Sequence, residues 1–223
     1  MSSAASPARA AAGAGAAVRV VLGSSSPARL STLRAAGLRP EVVVPGVDED
    51  AVVAAVPHGS PGARAVLLAE HKSAAVAPQV VAGDGPAVVI GCDSVLELDG
   101  EAHGKPGSAT EAVRRWRSMR GRSGVLHTGH SLRLVGLGAE ERHSSAVASA
   151  LVHFADLTDD EVDAYVATGE PLGVAGGFTL DGLGGAYVRG IEGDPHTVVG
   201  ISLPLLRELL AAHGIAWHRL WRG

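Results

Sequence analysis

The sequence predicts an α/β fold with a mixed β-sheet flanked by helices, arranged as two lobes around one cleft. Three features lead to this expectation. Strand-like and helix-like segments alternate along most of the chain. Residues 87–92, Ala-Val-Val-Ile-Gly-Cys, are almost wholly apolar, as in a strand covered on both faces. Later segments come as adjacent strand pairs, which breaks a purely doubly wound order. With 223 residues the chain is long enough to bury one core or two small lobes.

The elements follow in order. Residues 18–22, rich in valine, read as a strand, and Gly23-Ser24-Ser25-Ser26 turns into a helix opened by Pro27 and ended near Gly37. Val42, Val43 and Val44 suggest a second strand. Ser60-Pro61 starts a helix that runs to about Ala77, and residues 79–86 form a Gly/Pro-bearing loop. After the central strand at 87–92, residues 95–98 lead to Asp99-Gly100, a hairpin turn. Ser108 with Glu111, and Thr158 with Glu161, have capping-box spacing and each open a helix. Residues 124–135 and 143–154 read as a strand pair. A glycine-rich strand, a helix at 203–212 and a short segment at 217–220 close the chain. Residues 1–17, almost all Ala, Ser and Gly, are expected to be a disordered tail ahead of a single domain spanning 18–223.

Composition excludes several classes. Nineteen basic against 23 acidic residues give a net charge of −4, so no global field draws the chain to nucleic acid or an anionic membrane. No apolar run approaches the roughly 20 residues that span a bilayer. The single cysteine, Cys92, precludes an internal disulfide and fits a reducing compartment, so a cytoplasmic location is expected. His127 and His130, three apart on a strand, point to opposite faces and do not form a zinc pair. The cluster Arg114-Arg115-Trp116-Arg117 reads as a solvated basic helix face, and Gly182-Leu183-Gly184-Gly185 lacks the full dinucleotide fingerprint.

The chemistry-bearing residues are scattered. Gly23-Ser24-Ser25-Ser26-Pro27-Ala28-Arg29 joins a strand end to a helix N-terminus, where free N–H groups, serine hydroxyls and Arg29 can cradle phosphate; Ser26 can equally be a simple N-cap, and both can hold at once. Asp48, Glu49 and Asp93 follow apolar segments, positions from which a carboxylate can bind a divalent ion, take a proton from water, or merely cap a turn. Lys72 lies inside a helix, a setting usual for a solvated lysine, and Lys105 is stiffened by Pro106.

In order and spacing these segments resemble the Maf family of nucleotide pyrophosphatases, also called septum formation inhibitor proteins. Leu22-Gly-Ser-Ser-Ser-Pro-Ala-Arg29 is similar to the family's L-A-S-x-S-P-R-R, Val47-Asp48-Glu49 to its acidic pair, and Leu68-Ala-Glu-His-Lys72 to its L-A-x-x-K helix. Gly91-Cys-Asp93-Ser94-Val95 followed by Gly104-Lys105-Pro106 resembles A-D-T-V and G-K-P with their interval kept, and His127-Thr128-Gly129 matches part of H-x-V-x-T-G. The resemblance implies an inosine-triphosphatase-like fold with a deep nucleotide cleft, and homodimers. It implies that a divalent cation, Mg2+ or Mn2+, assists hydrolysis of a nucleoside triphosphate to monophosphate and pyrophosphate. Asp93 would be the proton acceptor, Glu49 with Asp93 would hold the metal, and Ser24, Ser26, Arg29, Lys72 and Lys105 would grip the triphosphate.

Departures from the pattern bear on specificity. Ala28 replaces the first arginine of the usual pair, Cys92 the alanine before the aspartate, and Ser94 the threonine. At the base-reading position, Gln in a branch favouring uridine and thymidine nucleotides and Glu in a 7-methyl-GTP branch, this chain has Asp181. Gly193-Asp-Pro-His-Thr-Val-Val-Gly200 leans toward the second branch. Two other functions share such a cleft: a non-catalytic nucleotide-binding regulator of cell division, and a phosphatase releasing orthophosphate.

Overall fold

A computed structural model describes residues 18–56, 58–80, 85–136 and 142–221. The expected N-terminal tail and residues 81–84 of the expected loop lie outside the described residues. Seven strands form one mixed sheet: β1 (Arg19–Gly23), β2 (Glu41–Val42), β3 (Ala87–Leu98), β4 (Glu101–His103), β5 (Ser123–Val135), β6 (Arg142–Phe154) and β7 (Val188–Glu192). Their order is β2-β1-β3-β5-β6-β7, with β4 added to β3. β1 runs parallel to β2 and β3, and the remaining pairs are antiparallel.

Among the described residues seven α-helices flank the sheet: α1 (Pro27–Ala35), α2 (Glu49–Ala54), α3 (Pro61–Val76), α4 (Ala109–Met119), α5 (Asp159–Ala167), α6 (Pro195–Val199) and α7 (Leu203–Ala212). Side-chain caps start each one, Ser26, Asp48, Ser60, Ser108, Thr158, Asp194 and Ser202, supplying an acceptor to an otherwise unpaired N–H. The capping box at Thr158 is complete. At Ser108 only half of it forms: the hydroxyl accepts from Glu111 N, but the Glu111 carboxylate turns to Arg114 and Arg115, whose charged donors outcompete one backbone N–H.

Other expectations need correction. The strand at 42–44 is only Glu41–Val42, because β1 offers it just two paired residues. Residues 87–92 and 95–98 are one strand, since Asp93 and Ser94 stay in register opposite Gly129 and Thr128 of β5. Asp93 therefore sits within β3 rather than past its end. The glycine-rich stretch before β7 is a chain of short 3-10 turns, with Gly169, Gly176 and Gly177 in the left-handed region. Asp99 and Gly100, both at positive φ, form the expected tight hairpin turn.

On one sheet face, β1, the first half of β3 and the end of β5 pack with α1 and α7 around Leu22, Leu33, Ile90, Leu132 and Leu206. On that same face, the second half of β3 packs with α4 and α5 around Leu96, Trp116, Leu126, Phe154 and Tyr165. They form two separate apolar clusters along the sheet. Between them lies a polar layer of buried Arg29, Thr128, His130, Thr197 and Ser202. The opposite face carries α3, which crosses both halves. It approaches so closely that a Cβ on Gly91 would lie 2.2 Å from the Ala69 carbonyl oxygen, and one on Gly129 2.2 Å from that of Ala65.

Candidate active site

The site arises from a gap in the sheet edge. β1 covers one edge of β3 as far as Gly91, and β4 covers the same edge only from Leu96 to Leu98. Residues 92–95 have no strand beside them there, and the cleft opens at this point. A backbone edge left bare in a protein interior needs other partners. Arg29 supplies one, donating from Nη1 to the Cys92 carbonyl at 2.8 Å.

Arg29 also binds Ser24 Oγ at 3.1 Å, the Gly200 carbonyl at 2.7 Å and Ser94 Oγ at 3.0 Å. Four of its five N–H donors are thereby used, which leaves one on Nη2. The side chain ties α1, β3 and the turn after α6 together as much as it supplies charge. Ser26 caps α1 by accepting from Arg29 N at 3.4 Å, while Ser24 Oγ accepts from Ser26 N at 3.1 Å. The serine loop thus caps the helix and also lines the cleft.

On the α3 side, close packing over Gly91 and Gly129 brings Lys72 over Asp93. Lys72 Nζ donates to Asp93 Oδ1 at 2.6 Å and lies 2.8 Å from Glu49 Oε1. Lys72 is buried at 6 % exposure and Asp93 at 9 %, so this lysine is no solvated helical side chain. Burial works to raise the Glu49 pKa, but the Lys72 ammonium and the charges of Lys105 and Arg29 outweigh it and hold the carboxyl below its usual range. Full burial pushes the Cys92 thiol up to about 11, leaving it an unreactive core group.

Lys105 stands on an exposed loop, held from behind. Arg115 donates to the Gly104 carbonyl, Gly176 N donates to the same carbonyl at 3.1 Å, and Gly107 N binds the Leu172 carbonyl at 3.2 Å. Arg115 and Trp116 are buried. The expected basic face is therefore solvated only at Arg114 and Arg117, and Arg115 is a support of the lysine loop that sequence reasoning missed. Its signal was present: it lies four residues after Glu111 and beside the apolar positions Ala112, Trp116 and Met119.

Eight of the nine sequence-nominated residues, Ser24, Ser26, Arg29, Glu49, Lys72, Asp93, Lys105 and Asp181, line one cavity of about 380 Å³, while Asp48 caps α2. The rest of the far wall, which the sequence did not reveal, comes from residues 173–175 and 178–180 together with Val198 and Val199. A second cavity of about 590 Å³ shares Glu49, Asp93, Ser94 and Lys105 with the first and lies against α2 and α3 over Val53, Leu68 and Val95. His127 and His130 do occupy opposite faces: His127 abuts Gly62 of α3, whereas His130 accepts from Ser202 N. Among the described residues no helix is long and apolar enough to cross a membrane.

Comparison with known proteins places these features in a wider set. The family model described as "Maf-like protein" matches residues 19–213. A nucleoside triphosphate pyrophosphatase of Streptomyces coelicolor is 55 % identical over 205 residues, covering 91 % of this chain and 94 % of that protein. One of the same name from Salinispora tropica is 54 % identical, covering 92 % and 88 %. Among solved structures, the Ham1 protein of Staphylococcus aureus aligns over 91 % of this chain and 93 % of its own at 14 % identity and a TM-score of 0.36.

Proposed function

This chain belongs to the Maf-like protein family, and from that premise we propose that it hydrolyses nucleoside triphosphates between the α- and β-phosphates, releasing a nucleoside monophosphate and pyrophosphate. The observation that supports this most strongly is the convergence of Glu49, Lys72 and Asp93 at 2.6–2.8 Å beside the serine loop and Lys105. A triphosphate carries several negative charges, and the protein is itself anionic, so neutralisation has to be local. Arg29, Lys72 and Lys105 provide it, with the N-terminus of α1 and the Ser24 and Ser26 hydroxyls as further donors.

In the reaction, a water oxygen bonds to the α-phosphorus as the bond from that phosphorus to the bridging oxygen breaks, and pyrophosphate departs with the electron pair. Asp93 takes the water's proton. Its Oδ1 is engaged by Lys72, while Oδ2 has no hydrogen bond among the described residues and is the oxygen open to accept it. Lys105, on its exposed loop, offsets the charge that develops on the leaving group.

The two carboxylates also fit a divalent cation. Glu49 Oε1 and Asp93 Oδ1 both bind the Lys72 ammonium, so a dication would be held beside it, by the remaining hard oxygens of these two carboxylates; no group of three or more His, Cys, Asp or Glu side chains able to hold a metal occurs among the described residues. Such a two-carboxylate set suits Mg2+ or Mn2+, which take further ligands from phosphate and water. When bound, the ion would polarise the phosphoryl oxygens and offset their charge. In this proposal Asp181, which is exposed on the far wall, reads the base.

Product analysis tests this reading. With canonical and 7-methylated nucleoside triphosphates, pyrophosphate should appear in step with the monophosphate, cease on chelation, and return with Mg2+ or Mn2+. Orthophosphate as the first product would assign a phosphatase. Nucleotide binding without turnover would assign a regulator.

A further inference from the structure

The wall that carries Asp181 is pinned by one carboxylate that none of the catalytic chemistry uses. Glu170 stands at the start of a short 3-10 turn, residues Glu170–Gly173, after α5. Its Oε1 accepts from Tyr165 Oη at 3.0 Å, from Gly184 N at 3.0 Å and from Thr179 Oγ1, and its Oε2 accepts from Leu183 N at 3.0 Å. The partners bracket Asp181: Thr179 precedes it by two residues, and Leu183 and Gly184 follow it by two and three. Both ends of the segment 179–184 are thus fixed to a single side chain while its middle faces the cleft. The Tyr165 hydroxyl repeats the clamp, accepting from Thr179 N at 3.3 Å as it donates to Glu170.

The glycines of the segment are part of the same construction. A Cβ on Gly182 would lie 2.7 Å from Glu170 Oε2, and one on Gly184 2.4 Å from the Tyr165 hydroxyl. The chain can wrap the carboxylate this tightly only because those positions carry no side chain. Burial works to raise the Glu170 pKa, yet the surrounding donors hold it below the usual carboxylate range, so the clamp is an ionised acceptor at neutral pH. A carboxylate accepting four hydrogen bonds fixes backbone position far better than an exposed loop would on its own.

We propose that Glu170 is the positioning residue for nucleotide-base selection, holding residues 179–184 so that Asp181 faces the base in the cleft. The inference rests on the base-reading role given to Asp181 above. Asp is the shortest carboxylate side chain, so its reach depends on where the backbone is held. Selection by hydrogen bonding to a base edge is lost when the partner shifts by a fraction of its length. Glu170 acts through Asp181 and does not itself line the cavity.

A double-mutant cycle tests this, with kcat and KM measured for a purine, a 7-methylguanine and a pyrimidine nucleoside triphosphate. Asp181→Asn should reduce the ratio of kcat/KM between the best and worst bases by about tenfold. Glu170→Gln should reduce the same ratio by a similar factor, mainly through KM for the best substrate, with kcat within about threefold of wild type. In the Asp181→Asn background, Glu170→Gln should change the ratio by less than about twofold. Tyr165→Phe, which removes two hydrogen bonds of the clamp, and Thr179→Ala, which removes one, should shift it in the same direction and serve if Glu170→Gln does not fold. Equal effects of Glu170→Gln with and without Asp181→Asn, or no effect of any clamp variant on the ratio, would overturn the proposal. An unchanged ratio in Asp181→Asn alone would instead remove the base-reading role of Asp181 and leave Glu170 nothing to position.

Discussion

His130 is fixed as a neutral imidazole by its two partners. Nδ1 donates to the Thr128 carbonyl at 3.0 Å, and Nε2 accepts from Ser202 N at 2.8 Å. Burial is the main force lowering its pKa and the Arg29 charge adds to it, while the Thr128 carbonyl and Asp194 pull the other way; the result is about 4. Below pH 6.5 the unfolded chain therefore binds a proton that the folded chain refuses until pH 4. Stability contributed by the neutral ring is complete above 6.5 and is lost as pH falls toward 4, by about 3 kcal/mol. Thermal melts across this range should show a steep acid limb that is shallower in His130→Gln; identical slopes would contradict the assignment. Little of this was legible beforehand, because a sequence shows a histidine on a strand but not which backbone groups meet its ring. Lys72 teaches the same lesson. A lysine within a helix reads as solvated until the sheet beneath it is known to carry Asp93.

At the scale of elements, the placement of α3 decides the geometry of the acidic pair. Gly91 and Gly129 let the helix backbone rest directly on the sheet, and one turn further along Lys72 meets Asp93. Gly129→Ala would force α3 outward against the Ala65 carbonyl, costing about 1–3 kcal/mol. A shift near 1 Å at Lys72 should lower kcat by about a hundredfold. Melting temperature and turnover measured together check this, and a variant with wild-type values of both would refute the argument. The longer elements were readable in the sequence because caps and apolar periodicity are local signals, as at Ser60, Thr158 and residues 87–92. What was not readable depended on distant partners. α2 and α6 are 6 and 5 residues long and have too few turns to display a period. The continuity of β3 through Asp93 is dictated by β5, and Arg115 was assigned to solvent because its acceptor, the Gly104 carbonyl, belongs to another loop.

For the whole molecule, two apolar cores share one face of the sheet and a third lies under α3 on the other, and the break between the first two is where charge is concentrated. The chain separates Ser24 from Asp181 by most of its length, yet both border the same cavity. Eight residues of that cavity were recognisable from motif order, whereas their arrangement and most of the far wall were not. It required β1 and β4 to stop short of each other along β3. The central claim is that this gap sets Asp93, steadied by Lys72 and Glu49, to take a proton as water attacks the α-phosphorus. The most direct test is steady-state release of pyrophosphate by the wild-type chain and by Asp93→Asn, with circular dichroism on both. Asp93→Asn should keep the wild-type spectrum and lose turnover by about a thousandfold; a folded Asp93→Asn that releases pyrophosphate at the wild-type rate would contradict the account.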